Sequence, residues 1–141
     1  MMENGTAEHE YYFCYSASLR IFGEIGDPSE ITRRLGVEPT DCHRRGDRRS
    51  PRARPYQHDM WLYKAPIPED RPLTEHLEAL WQTLRPHVPV LKKLKERLNV
   101  DIFCGYRSNC ETAGFEIDHR ALVIFMELEV PLGVSVIVLE D

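Results

Sequence analysis

Long apolar runs are absent from this sequence. No stretch approaches the roughly 18 consecutive apolar residues that span a bilayer. The first ten residues are polar and acidic, and they lack both the basic start and the apolar run of a secretory signal. We therefore expect a cytoplasmic protein that does not interact with membranes.

Cysteine is scarce and follows no motif. The four cysteines contain no C-x-x-C pair, which argues against a disulfide scaffold and against the common structural zinc sites. A metal site would have to combine cysteines and histidines from distant segments, since no local spacing supplies a ligand pair. Its ligands would be Cys42, His43 and His58 with Cys104 or Cys110. We predict no metal and no cofactor.

Catalytic motifs are missing as well. The chain has no G-x-S-x-G, no phosphate-binding glycine loop and no H-E-x-x-H. A small hydrolase or transferase using Cys42 or His43 remains an alternative, because a thiol beside a base is the minimum for nucleophilic catalysis. Adjacent residues on a strand point to opposite faces, which is poor geometry for such a pair. An enzyme is therefore the less favoured prediction.

The composition is that of an ordinary globular domain. The chain has 141 residues, 42% of them hydrophobic and 29% charged, enough for one core and too few for two ordinary ones. We expect a disordered segment at residues 1–10 and a single domain over residues 11–141.

The periodicity predicts an α+β fold with the element order β-α-β-α-α-β-β-α-β. Alternating apolar residues mark strands, and apolar residues three and four apart mark helices. The predicted strands cover residues 11–22, 60–64, 100–107, 113–117 and 134–139, and the predicted helices cover 27–35, 73–84, 89–98 and 118–128. We expect a five-stranded, largely antiparallel sheet with helices packed on it and a ferredoxin-like second half. The apolar last strand is predicted to be central in the sheet.

One segment differs from the rest in charge. Residues 39–58 contain six arginines and two aspartates, a local charge of +4, and because the whole chain carries −5 the remainder carries −9. Residues 39–55, which we call the arginine-rich loop, have no apolar period and contain Gly46 and three prolines. A loop of this length is either functional or mobile.

These charges indicate a binding surface for an anionic group. Arginine presents a planar fork of donors that matches carboxylate and phosphate. The candidate binding residues are the six arginines and two aromatic residues of the following strand: Arg44, Arg45, Arg48, Arg49, Arg52, Arg54, Trp61 and Tyr63. Taken singly, each of the two aromatic residues is more often expected to complete the core or the polar face of the sheet.

Several kinds of binding partner are consistent with these charges. We expect a non-enzymatic interaction module that binds an acidic protein, or a homodimer formed through loop and body charges. Nucleic acid or a phosphorylated small molecule is an alternative that the acidic body disfavours, since it repels polyanions within the Debye length. The arginines could also simply pair with the chain's own acids, Glu38, Asp47 and Asp59.

Three local patterns resemble a bacterial domain-of-unknown-function family, number 4279. They occur in the same order over nearly the whole chain. The first is Leu19-Arg20-Ile21-Phe22-Gly23 before Asp27-Pro28; the second is Leu35-Gly36-Val37-Glu38-Pro39-Thr40 with Arg45-Gly46-Asp47 and Trp61; the third is Ile102-Phe103-Cys104 with Gly114-Phe115-Glu116-Ile117. The resemblance implies a small bacterial domain and brings no activity, cofactor or catalytic residue. The segment 48–54 is richer in arginine than the family pattern.

Overall fold

Strand β1, Phe13–Gly23, lies in the middle of a mixed sheet that runs in the order β2-β3-β1-β4-β5. The computed structural model describes residues 10–139. Within them, the other strands are β2 (Asp41–His43), β3 (Asp59–Lys64), β4 (Asn99–Ser108) and β5 (Leu132–Val138). The α-helices are α1 (Pro28–Leu35), α2 (Leu73–Leu84), α3 (Val88–Leu94) and α4 (Val123–Leu128), with 3₁₀ turns at Arg85–His87 and His119–Leu122.

The strand pairings confirm the predicted α+β class and show where the ferredoxin-like part lies. Strand β1 pairs antiparallel with β3 and β4, β2 pairs antiparallel with β3, and only β5 is parallel to its neighbour β4. The run β1-α1-β2-β3-α2-β4 is the ferredoxin-like arrangement, in which two split β-α-β units interleave. The ferredoxin-like arrangement therefore spans Phe13 to Ser108, whereas the prediction placed it in the second half of the chain.

The core is built on one face of the sheet. Ala17, Leu19 and Ile21 of β1 are wholly buried, and their neighbours in register, such as Trp61 and Ile102, lie on the same face. The buried apolar residues of all four helices belong to the same cluster. The period of two in β1 thus predicts the buried face correctly.

The other face of the sheet carries polar pairs. Arg20 on β1 lies opposite Asp101 on β4, and its Nε and Nη2 donate to the two carboxylate oxygens at 2.9 and 2.6 Å. The guanidinium also lies 4.1 Å from the centre of the Phe103 ring. The Arg20–Asp101 pair therefore joins β1 to β4 on the face away from the helices.

Helix α1 begins and ends as its sequence predicts. Asp27 accepts a hydrogen bond from the Ser29 amide at 3.0 Å, and Pro28 occupies the first turn. This bonding with Ser29 lowers the pKa of Asp27. Gly36 ends the helix with a φ of 72°, and its amide donates to the Thr32 carbonyl at 2.8 Å. The Thr32 side chain in turn accepts from the indole of Trp61 at 3.0 Å.

Three sheet predictions are wrong. Residues 113–117 form no strand; Phe115 and Ile117 pack against the core from an irregular segment, since both sides of β4 are already paired. The last strand is not central, because β5 lies at the edge. Residues 41–43, placed in the loop, form β2 by pairing with β3. Three residues are too few for an alternating apolar pattern to indicate a strand.

Two further predictions concern the N-terminal segment and the membrane. The segment predicted to be disordered, residues 1–10, lies outside the described residues except for Glu10. In the part that the structure describes, the helices are too short and too polar to cross a membrane.

His76 on α2 is the histidine enclosed by the core. Its ring is wholly buried, and Nε2 donates to the Arg71 carbonyl at 3.1 Å while Nδ1 has no hydrogen-bond partner among the described residues. Burial lowers the pKa of His76, and the bond to Arg71 only partly opposes this. The ring is therefore neutral at pH 7 in the folded protein.

We expect His76 to make folding sensitive to mild acid. Below about pH 6.5 the unfolded chain protonates this histidine while the folded protein resists, so the free energy of unfolding falls with pH by at most about 1.4 kcal/mol per pH unit. Urea unfolding between about pH 7 and pH 5 measures the slope. His76→Gln should flatten it, whereas His119→Gln, at an exposed site, should not. Equal slopes in both variants would contradict the assignment.

Candidate functional site

Residues 44–55 of the arginine-rich loop follow β2 and form the tip of a hairpin between β2 and β3. Two backbone hydrogen bonds close it: the Gly46 amide donates to the Tyr56 carbonyl at 2.9 Å, and the Tyr56 amide donates to the Asp47 carbonyl at 2.8 Å. Gly46 has a φ of 93°, which favours glycine at this turn. The Asp47 carboxylate accepts from the Arg44 amide at 2.9 Å. The loop is therefore ordered by its own backbone.

Asp59 ties the base of the loop to the start of α1. Its two carboxylate oxygens accept hydrogen bonds from the amides of Arg45, at 2.8 Å, and Ile25, at 3.1 Å. The bond from the Arg45 amide is the main reason that the pKa of Asp59 is lowered. The acid that could have neutralised an arginine side chain is thus occupied by backbone donors.

The six arginines of the loop are all exposed. Arg44 donates to the Gly26 carbonyl, and Arg48 donates to the Ala53 carbonyl at 2.7 Å. No other guanidinium of the loop has a hydrogen-bond partner within residues 10–139, and none of the six lies within ion-pair distance of a carboxylate there. The free ones are Arg45, Arg49, Arg52 and Arg54. The alternative that these arginines pair with Glu38, Asp47 and Asp59 does not describe this structure.

Two open clefts flank the loop, and Tyr56 lines both. One has a volume of about 740 Å³ and includes Arg45 and Arg54 in its walls. The other, of about 720 Å³, includes Arg48 and Arg49. The Tyr56 ring stacks on the His43 ring with 3.5 Å between centroids and 9° between planes. An aromatic pair therefore stands between two arginine-bearing clefts.

The aromatic residues expected at the site lie elsewhere. Trp61 is wholly buried, so it completes the core, and Tyr63 is half-buried against the same cluster. Sequence reasoning missed Tyr56 as a site residue, although an aromatic residue directly after a polar, proline-rich loop was an available signal. Its alignment with His43 could not have been inferred, because it depends on how the loop folds back.

Cys42 and His43 do not form a catalytic pair. Cys42 lies opposite Trp61 in the register, on the helix-covered face, and His43 lies opposite Met60 on the other face. Desolvation raises the pKa of Cys42, against a smaller opposite effect of Arg44. Burial raises the pKa of Cys104 to about 12. No cluster of three metal-ligating side chains is found among the described residues.

A family model described as a domain of unknown function, DUF4279, matches residues 9–139. The chain belongs to the DUF4279 family. The match covers nearly the whole chain and confirms the resemblance seen in the local motifs. Neither a curated protein nor a solved structure matches this DUF4279 domain.

We predict that Asp59→Ala loosens the arginine-rich loop of this DUF4279 domain. Removing the carboxylate leaves the amides of Arg45 and Ile25 without their acceptor. Amide exchange at Arg45 and trypsin cleavage within the loop should both become faster than in the wild type. Asp41→Ala is the matched control, since this carboxylate on β2 accepts no hydrogen bond in the described part of the chain. Unchanged exchange and cleavage in Asp59→Ala would contradict the anchoring role.

We also predict that Cys42 behaves as an unactivated thiol. Because its pKa is raised, its rate of reaction with a thiol-specific disulfide reagent should be low at neutral pH and should increase toward alkaline pH. Cys104, wholly buried, should react only when the protein unfolds. Labelling of single-cysteine variants measures both rates. Fast labelling of Cys42 at neutral pH would revive the enzymatic alternative.

Proposed function

We propose that this DUF4279 domain is a non-enzymatic binding module whose arginine-rich loop binds an acidic segment of a protein. The observation that carries the proposal is a loop with six exposed arginines, none of them in an ion pair with a carboxylate of residues 10–139. Each free guanidinium offers the forked donors that carboxylates accept in pairs. The loop therefore keeps its binding capacity for a partner.

Order in the loop supports recognition. Binding costs less when the binding surface does not have to be immobilised first. Here the Gly46–Tyr56 bonds and the Asp59 anchor already hold the backbone in place, while the free guanidinium groups project from it. The rings of Tyr56 and His43 add an apolar surface between the two clefts, of the kind that anchors protein interfaces.

Charge favours a short acidic segment over a nucleic acid. The loop segment carries +4 and the remaining chain −9, so a long polyanion would be repelled wherever it extends beyond the loop. A peptide with a few carboxylates is short enough to stay at the two open clefts, where Arg45 and Arg54 line one and Arg48 and Arg49 line the other. Attraction of this kind weakens as salt is added.

The geometry around the thiols does not favour the alternative of a hydrolase or transferase. A nucleophile needs its base within hydrogen-bond reach, and Cys42 and His43 lie on opposite faces of the sheet. The raised pKa of Cys42 further reduces the fraction of thiolate. Binding is thus the function that the loop supports best.

We further propose that the protein works in the bacterial cytoplasm. All four cysteines are free, and the exposed Cys42 would be liable to oxidation outside a reducing compartment. Fractionation of cells followed by immunodetection tests this location.

The decisive variant replaces the four arginines whose side chains have no described partner. We expect Arg45→Gln, Arg49→Gln, Arg52→Gln and Arg54→Gln together to weaken binding of a fluorescein-labelled oligoglutamate peptide by about tenfold or more, since exposed ion pairs each contribute a few tenths of a kcal/mol or more. Fluorescence anisotropy at low and high salt measures the affinity. The wild-type affinity should fall with salt more steeply than that of the variant.

The matched control removes the same charge from other surfaces. Arg33, Arg34, Arg85 and Arg97 are exposed and form no ion pair within the described residues. Changing these four to Gln should leave the affinity nearly intact. If the loop and control variants bind equally well, the proposal is wrong. Preferential binding of a single-stranded oligonucleotide would instead favour the nucleic-acid alternative.

A further inference from the structure

Strand β5 presents an unpaired edge of unusual composition. Its inner side pairs with β4, and no described strand covers its outer side. The strand has no charged residue and no proline. Six apolar side chains at this edge are 43–58% exposed: Leu132, Val134, Val136, Ile137, Val138 and Leu139.

Natural sheets protect such edges, and β5 has none of the usual devices. Edge strands are normally short, charged, bulged or interrupted by proline. The opposite edge follows this rule, since β2 has only three residues, Asp41–His43, and leads into the arginine-rich loop. The seven-residue, uncharged β5 does not. An edge left in this form is expected to be covered in the working protein.

The backbone groups of β5 that point outward can be identified. The Ile102 amide donates to the Pro131 carbonyl at 3.2 Å, and the Leu139 amide donates to the Ser108 carbonyl at 2.9 Å. Because backbone groups alternate in direction along a strand, the odd-numbered residues bond to β4. The even-numbered residues, Leu132, Val134, Val136 and Val138, turn their amides and carbonyls away from the sheet.

We propose that two copies of this chain pair through β5 in an antiparallel, two-fold arrangement centred on Ser135. In this register Val134 of one copy faces Val136 of the other, and Leu132 faces Val138. All of these residues have outward backbone groups, so each pair exchanges two hydrogen bonds. Their side chains all lie on the helix-covered face, since Val134 and Val136 are in register with Cys104 and Tyr106. Two five-stranded sheets become one continuous sheet.

The strand is complementary to itself in both pattern and charge. In a register shifted by one residue, the apolar side chains of one copy would lie opposite residues whose side chains point to the other face of the sheet. The two-fold register avoids this mismatch. With no charge in β5, the antiparallel pair opposes no like charges. Four of the exposed apolar side chains, Leu132, Val134, Val136 and Val138, lie in the pairing register and would be partly buried in the dimer.

A second copy fits this edge better than repeated addition of strands. The β2 edge of one molecule offers three residues and a charged loop, which cannot pair with the whole of β5. Among the edge strands that the structure describes, only β5 matches β5 in length and polarity, so the assembly closes at two copies. This contact is separate from the arginine-rich loop, which lies at the other edge of the sheet.

Mass in solution tests the proposal. Sedimentation of the full chain over a dilution series should show a monomer–dimer equilibrium. Val136→Lys places a charge in the pairing edge and should raise the dimer Kd by on the order of a hundredfold. The control is Met126→Lys on α4, where the methionine is 76% exposed. This variant should leave the dimer Kd unchanged. Thermal unfolding of dilute samples shows whether each variant is folded.

Amide exchange gives a second readout that does not rely on a variant. The amides of Leu132, Val134, Val136 and Val138 should be protected at high protein concentration and exchange rapidly on dilution. The amides of Gly133, Ser135 and Ile137 should be protected at both protein concentrations. A monomer at every concentration, a dimer that Val136→Lys leaves intact, or growth beyond two copies would each overturn the proposal.

Discussion

The structure depends on one constraint: the central strand β1 has both edges occupied and only one face covered. Strands β3 and β4 take its two edges, and its residues Ala17, Leu19 and Ile21 are buried beneath the helices. Every other strand must then add outward, and every helix must pack on the same side. The polar face stays exposed, with Arg20 paired to Asp101. The two ends of the sheet are what remain for contacts with other molecules.

Those two ends differ in physical character. At one end β2 is three residues long and leads into a charged loop that is held by its own backbone bonds and by Asp59. At the other end β5 is long, apolar and unpaired on its outer side within the described residues. Electrostatic recognition is proposed at the first and backbone pairing at the second. Because the edges lie on opposite sides of β1, both contacts can form at once.

Agreement between sequence and structure follows the range of the interactions. Helix α1 was predicted from Asp27, Pro28 and Gly36 because capping involves neighbours in the chain. The segment 113–117 has strand-like alternation, yet Phe115 and Ile117 use it to reach the core without pairing. The predicted central position of β5 was wrong, because an apolar run fits either a strand covered on both faces or an unpaired edge strand. The exposed arginines of the loop were evident from charge alone, whereas Tyr56 and the burial of Trp61 were not.

Periodicity, local capping and composition were enough to predict the α+β class, the buried face of β1, the family and the charged loop. The strand order, the hydrogen bonds from the amides of Arg45 and Ile25 to Asp59, and the stacking of Tyr56 on His43 became visible only in the folded chain. The physical reason is that such contacts join residues far apart in sequence. Their formation depends on which edges and donors the remainder of the fold leaves open.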